Sequence, residues 1–131
     1  MCVEDGKLLM MREAESLSGK WELPGGGLDF GEDVQTAFRR EVQEEMGLEV
    51  SSMSKDPFYA WPYQYKSKRG LDWYYSMVLA YKVSFKDLNF TPSEECEEIK
   101  FFTLEELRSS VDLSGGQMAY LLDHYNPEDF A

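Results

Sequence analysis

The chain has 131 residues, 43% of them hydrophobic, and a formal net charge of −12. The length suits one domain with a substantial core, expected over residues 1–131, and the acidity makes duplex nucleic acid a poor partner because its backbone phosphates would be repelled. No apolar run approaches a membrane span and no cationic apolar leader opens the chain; Cys2, Cys96 and the one histidine, His124, supply neither a disulfide framework nor zinc-ligand spacing, so a reducing, cytoplasmic setting is the expectation.

Residues 1–4 read as a short strand. Asp5-Gly6 follows between apolar runs, a strong hairpin signal, and KLLMMR at 7–12 is the returning strand. Residues 13–20 read as a loop and 21–23 as a short strand, after which Pro24 and the glycines Gly25, Gly26 and Gly27 break regular structure. A helix is expected over 33–46. Val34, Phe38 and Val42 recur there at helical spacing with Ala37 beside them, forming a buried stripe, and Gly47 stands where a C-cap glycine belongs. Residues 49–52 and 58–65 look extended, 66–70 form a basic turn with Lys66, Lys68 and Arg69, and 73–85 read as one long β-rich run. Another strand is expected at 99–103, then helices at 104–111 and 116–125 capped by Thr103 and Ser114. This order implies an α/β fold, a mixed sheet with helices packed on it.

The chemistry concentrates on the 33–46 helix. Glu41, Glu44 and Glu45 stand at i, i+3 and i+4 and share one face. Carboxylates packed together repel one another unless something positive sits between them. A hard divalent cation such as Mg²⁺, which prefers oxygen ligands, is the natural candidate. The plain alternative is a solvated face paired with Arg39 and Arg40. The net acidity fits a site where metal ions bridge a polyphosphate to carboxylates, although a surface tuned for solubility accounts for most of such a charge.

With its flanks, the stretch from 26 to 48, GGLDFGEDVQTAFRREVQEEMGL, resembles the Nudix box: G, five residues, E, seven residues, then R-E-U-x-E-E-x-G-U with U a bulky aliphatic. Gly26, Glu32, Arg40, Glu41, Val42, Glu44, Glu45, Gly47 and Leu48 fill every fixed position. So many matched positions are far more specific than a lone glycine motif. The flanking segments WELPGG and ECEEIKFFTLEEL look like the usual surroundings of that box. The resemblance implies a Nudix α/β/α sandwich with a mixed β-sheet. It also implies a longer first strand than the one that starts at Met1, so that a short sheet edge, or one covered by another chain, is expected.

What the resemblance implies for chemistry is hydrolysis of a nucleoside diphosphate linked to another group, by water attack at phosphorus with Mg²⁺ or Mn²⁺. Glu41, Glu44 and Glu45 would be metal ligands, with Glu41 or Glu44 alternatively the general base. Arg40 would orient a box glutamate through charge-assisted hydrogen bonds, and Glu32 would pair with Arg40 or hold a water. Gly25, Gly26 and Gly27 let backbone groups approach metal and phosphate, Gly25 as a ligand. Glu95 is the candidate for an extra ligand or base, against a plain acidic loop with Glu94, Glu97 and Glu98. Arg12 and Lys20 are candidate phosphate contacts, against surface ion pairs. His124 is read as a surface or packing residue.

Aromatics make up 15% of the chain. Trp61, Tyr63 and Tyr65, and Trp73 and Tyr75, alternate within extended segments, so each set shares a sheet face. They could stack on a base, with sheet core as the plain alternative. Tyr65 stands where some diadenosine-polyphosphate hydrolases carry a tyrosine, and Pro62 lies close to a proline of some ADP-ribose hydrolases. The WELPGG opening is more like the MutT-type group that takes nucleoside triphosphates. The expected partner is therefore a small-molecule nucleotide, with no duplex nucleic acid and no membrane, and the chain a monomer or homodimer. A nucleotide sensor of the same fold would lack box glutamates, and an isomerase would need a placed cysteine.

Overall fold

The computed structural model describes residues 1–66, 72–114 and 116–131. The chain runs β1 (Val3–Glu4), β2 (Lys7–Glu13), β3 (Trp21–Glu22), α1 (Val34–Met46), β4 (Val50–Met53), β5 (Tyr59–Lys66), β6 (Trp73–Ala80), β7 (Val83–Phe85), β8 (Cys96–Thr103), α2 (Leu104–Ser109), α3 (Ala119–His124) and a closing 3₁₀ turn at Pro127–Phe130. Asp5 and Gly6 both take positive φ, 49° and 73°, the backbone a tight two-residue hairpin requires.

β2 organises the molecule. One of its edges pairs with β1 and then β3, and the other with β8 along the whole strand. Leu8, Leu9, Met10 and Met11 are all buried. Alternation sends them to opposite faces: Leu8 and Met10 pack with Leu104, Leu107, Leu121 and Leu122, while Met11 packs with Val42 and Met46. A strand covered on both sides reads as a continuous apolar run, which is why KLLMMR lacks polar alternation. The result is a sheet with α1 on one face and α2 and α3 on the other, the expected α/β/α sandwich.

Beyond that sheet, β4 pairs with β7 and β5 with β6, all antiparallel. Parallel pairing enters through the isolated bridge of Trp21 with Leu113. The Met1 amine donates to the Tyr81 carbonyl, and the Met1 carbonyl accepts from the Val83 N–H. These two bonds tie the first hairpin to the β6–β7 connection.

α1 is bounded as its sequence dictates. Asp33 accepts from the Thr36 N–H and hydroxyl. Gly47, at φ 66°, closes the helix with its N–H on Gln43 O and the Leu48 N–H on Val42 O, a left-handed glycine end. Thr103 forms a reciprocal capping box with Glu106 at α2.

Two expectations need correction. The 73–85 run is two strands, because the chain leaves the β5 ladder after Ala80 and joins β4 at Val83. The last helix begins at Ala119 rather than 116, and Met118, not Ser114, occupies its N-cap position, with no side-chain bond. Each aromatic set keeps to one face of the β5–β6 ribbon as expected, and the two sets face opposite ways, with Trp61 1% exposed and Tyr75 79% exposed. Most of the basic turn at 66–70, with Lys68 and Arg69, lies outside the described residues. No helix among the described residues is long and apolar enough to cross a membrane.

Candidate carboxylate site and cleft

The site begins where β3 ends. Pro24 has no N–H to extend the ladder, and Gly25 takes φ 151°, a conformation L side chains rarely adopt. The chain then crosses against α1. A Cβ at Gly26 would lie 2.5 Å from Cδ of Glu41, whereas one at Gly27 would meet nothing within 4 Å. Gly26 is therefore the glycine that lets the loop backbone touch a box carboxylate.

Arg40 is the hub of the charged face. Its Nε and Nη2 donate to the two oxygens of Glu32 at 2.8 and 2.9 Å, a bidentate pair. Nη1 donates to Glu41 at 3.0 Å and Glu44 at 3.2 Å, and Asp29 pairs at 3.3 Å. Glu32 also accepts from the Asp29 N–H. The Arg40 bonds, then that backbone bond, hold the Glu32 carboxyl down at about 2. The same carboxylates raise the Arg40 guanidinium above its ordinary value, hydrogen bonding to Glu32 leading.

Glu45 differs from its neighbours. Burial pushes its carboxyl well above the usual carboxylate range, and side-chain hydrogen bonds with Glu41 and Glu95 add to this. Three carboxyl groups, two from α1 and one from the segment before β8, thus meet. Glu95 is carried there by its backbone, whose carbonyl accepts from the Ala14 N–H at the end of the β2–β8 ladder. Beneath lies Cys96, fully buried. Its thiol is pushed up to about 11 by burial, with the charges of Glu45 and Glu22 contributing.

A cleft of about 670 Å³ adjoins this face. It is lined by Glu13, Glu22, the 23–28 loop and Phe38 of α1, and by Tyr63, Met77 and Gln117 from elements distant in sequence.

Of the candidate residues, the fold brings Glu41, Glu45 and Glu95 together and puts Gly25, Gly26 and Gly27 along the cleft. Glu44 points outward onto Arg40, 60% exposed. Arg12 is held by Glu97 at 2.8 Å and Glu98 at 3.3 Å, and neither it nor Lys20 lines the cleft. Tyr65 lies on β5, its side chain outside the described residues, and Tyr63 lines the cleft. His124 stacks on Tyr120 at 4.3 Å, which itself stacks on Trp61. Two cleft residues carried no sequence signal strong enough to single them out: Glu22 inside WELPGG, and Gln117.

The donor set suits a hard cation. It is all oxygen, and it is crowded enough to need positive charge, part of which Arg40 supplies through Glu41. It is not a ready-made cage: among the described residues, no three His, Cys, Asp or Glu side chains stand as a group able to hold a metal. Glu41 and Glu45, with Glu95, are the residues that would hold an ion.

Residues 1–124 match the family model described as "NUDIX domain". The chain is 51% identical over 47 residues to a MutT-like protein of Streptomyces ambofaciens, covering 36% of this chain and 29% of that one. It is 28% identical over 106 residues to the nucleoside triphosphatase NudI of an Enterobacter species, covering 73% and 70%. The chain spans only 29%, 64% and 31% of the lengths of three relatives it matches. A crystal structure of a MutT NUDIX hydrolase from Burkholderia pseudomallei superposes with a TM-score of 0.69 at 22% identity, covering 95% of each chain, a likeness of fold.

Proposed function

The chain belongs to the NUDIX domain family, and on that premise we propose that it is a divalent-metal-dependent hydrolase. It would cleave the diphosphate linkage of a nucleoside diphosphate derivative, with a (deoxy)nucleoside triphosphate as the favoured substrate. The observation that carries this reading is the convergence of Glu41, Glu45 and Glu95, with Glu41 packed against Gly26, which lines a nucleotide-sized cleft. The name of the Enterobacter relative, a nucleoside triphosphatase, supports the choice of substrate.

In this reading Glu41, Glu45 and Glu95 hold Mg²⁺ or Mn²⁺, with Gly25 offering its carbonyl and Glu44 a further carboxylate. The bound ion would neutralise phosphate charge and make water a better nucleophile at neutral pH. Arg40 keeps Glu32 and Glu41 in place, so the carboxylates are oriented before substrate arrives. Glu41 or Glu44 accepts the proton of the attacking water. The Gly25–Gly27 backbone lets the phosphates approach without side-chain obstruction.

The test is incubation with Mg²⁺ or Mn²⁺ and a nucleotide panel, with products identified by mass. The panel holds normal and oxidised nucleoside triphosphates, ADP-ribose and diadenosine polyphosphates. Metal-dependent release of a nucleoside monophosphate from a triphosphate, abolished by chelator, supports the reading. A preference for ADP-ribose or a dinucleotide would move the substrate. Nucleotide binding without turnover would make the protein a sensor.

A further inference from the structure

β6 repeats a pattern seen in β2. Its sequence, WYYSMVLA, has no polar alternation, and a strand written that way suits burial on both faces. β2 is covered on both. On β6 the inner face is covered, with Val78 and Ala80 in one cluster with Trp61, Met118 and Leu121. The outer face is open. Trp73, Tyr75, Met77 and Leu79 are 60%, 79%, 62% and 42% exposed. Alternation puts these four on one face, and their cross-strand neighbours Ala60, Pro62 and Gln64 on β5 are exposed beside them.

Charge narrows what can cover this face. The chain carries a net charge of −12, so its copies repel wherever their acidic surfaces meet. None of the seven residues just named is charged, which leaves a surface where one copy can approach another. A cationic partner would be drawn to the acidic surface instead, and an anionic membrane would repel the chain. Geometry agrees. An antiparallel ribbon presents the same rows of side chains to its own copy across a two-fold axis, one sheet stacked on the other. Area agrees as well. The four β6 residues expose on the order of 500 Å², and with the β5 residues the face approaches the roughly 800 Å² that each partner buries in a stable interface. We propose that the outer face of the β5–β6 ribbon is a homodimer interface, packed against the same face of a second copy. Met77 and Leu79 also line the cleft, so the second copy would border it.

The test is sedimentation velocity on the full chain from about 1 to 200 µM, the range of a dimer of moderate affinity. A species of twice the 15.2 kDa chain mass is expected, and salt should favour it by screening the like charges. Tyr75→Glu and Gln64→Glu each bring carboxylates of the two copies together. Each should weaken association by more than about tenfold, with the circular dichroism spectrum unchanged. A second readout needs no variant: in the wild type, amide hydrogen exchange over 73–79 should slow as concentration rises through the range.

A monomer at every concentration overturns the proposal. So does a dimer that both folded variants leave intact, or one whose exchange over 73–79 ignores concentration. Co-sedimentation of the monomer with phosphatidylcholine–phosphatidylglycerol vesicles, lost in Tyr75→Glu, would overturn it in favour of a membrane surface.

Discussion

The two walls of the cleft are built in different ways. One wall is local: Glu22, the glycine loop and α1 follow one another in the chain, and Arg40 ties Asp29, Glu32, Glu41 and Glu44 into one network. The other is assembled from distant pieces, Tyr63 of β5, Met77 of β6 and Gln117 before α3. The first fixes charge with many short bonds. The second offers surface, with Met77 62% exposed. Chemistry demands tightly held positions, whereas selection among ligands is met by shape and a single complementary contact.

That contrast is broken most severely by Glu45→Gln. Losing a carboxylate from the cluster should lower kcat/KM by on the order of 10²–10⁴, read from metal-dependent product release, with the circular dichroism spectrum unchanged. Full activity would remove Glu45 from the site. Next comes Gly26→Ala, whose added Cβ must push the Glu41 carboxyl aside. A displacement of that size costs roughly 10²-fold in activity. Gly27→Ala meets no atom within 4 Å and should stay within about twofold; equal losses in the two variants would show that the loop matters only for its flexibility.

A smaller effect appears on the acid side. Glu32 has its carboxyl lowered from 4.5 to about 2 in the folded chain. Its contribution to stability is therefore present above the unfolded value and lost as pH falls from about 4.5 through about 2. Melting curves between pH 6 and 2.5 should show Glu32→Gln with a shallower acid decline than the parent. Parallel declines would place the acid sensitivity elsewhere. The smallest effect is Thr103→Ala. Loss of the α2 capping box should cost about 1 kcal/mol in urea titrations and leave activity within about twofold, since α2 touches neither wall.

The local wall was legible in the sequence because spacing along one helix is a geometric statement. Glu41, Glu44 and Glu45 must share a face wherever that helix forms, and Asp33 and Gly47 mark its ends. The different environments of these glutamates were not legible. Glu44 is exposed and Glu45 half-buried, which depends on how α1 sits over Cys96 and Glu95. Arg12 read as a phosphate contact from its place at a strand end, but the β8 register puts Glu98 opposite it. The distant wall gave almost no signal. The break between β6 and β7 is set by which partner strand each half meets.

β2 and β8 pair from Lys7 with Thr103 to Glu13 with Cys96, partners that stand far apart in the chain. Contacts so remote in sequence form late, because a long loop must close first. During synthesis β2 waits without its partner until β8 has emerged. Glu95 hangs on the end of that ladder through Ala14, so the third carboxyl joins Glu41 and Glu45 only at this final docking. The central zipper is thus also a timer, and the nascent chain completes its carboxylate cluster only after β8 has been made.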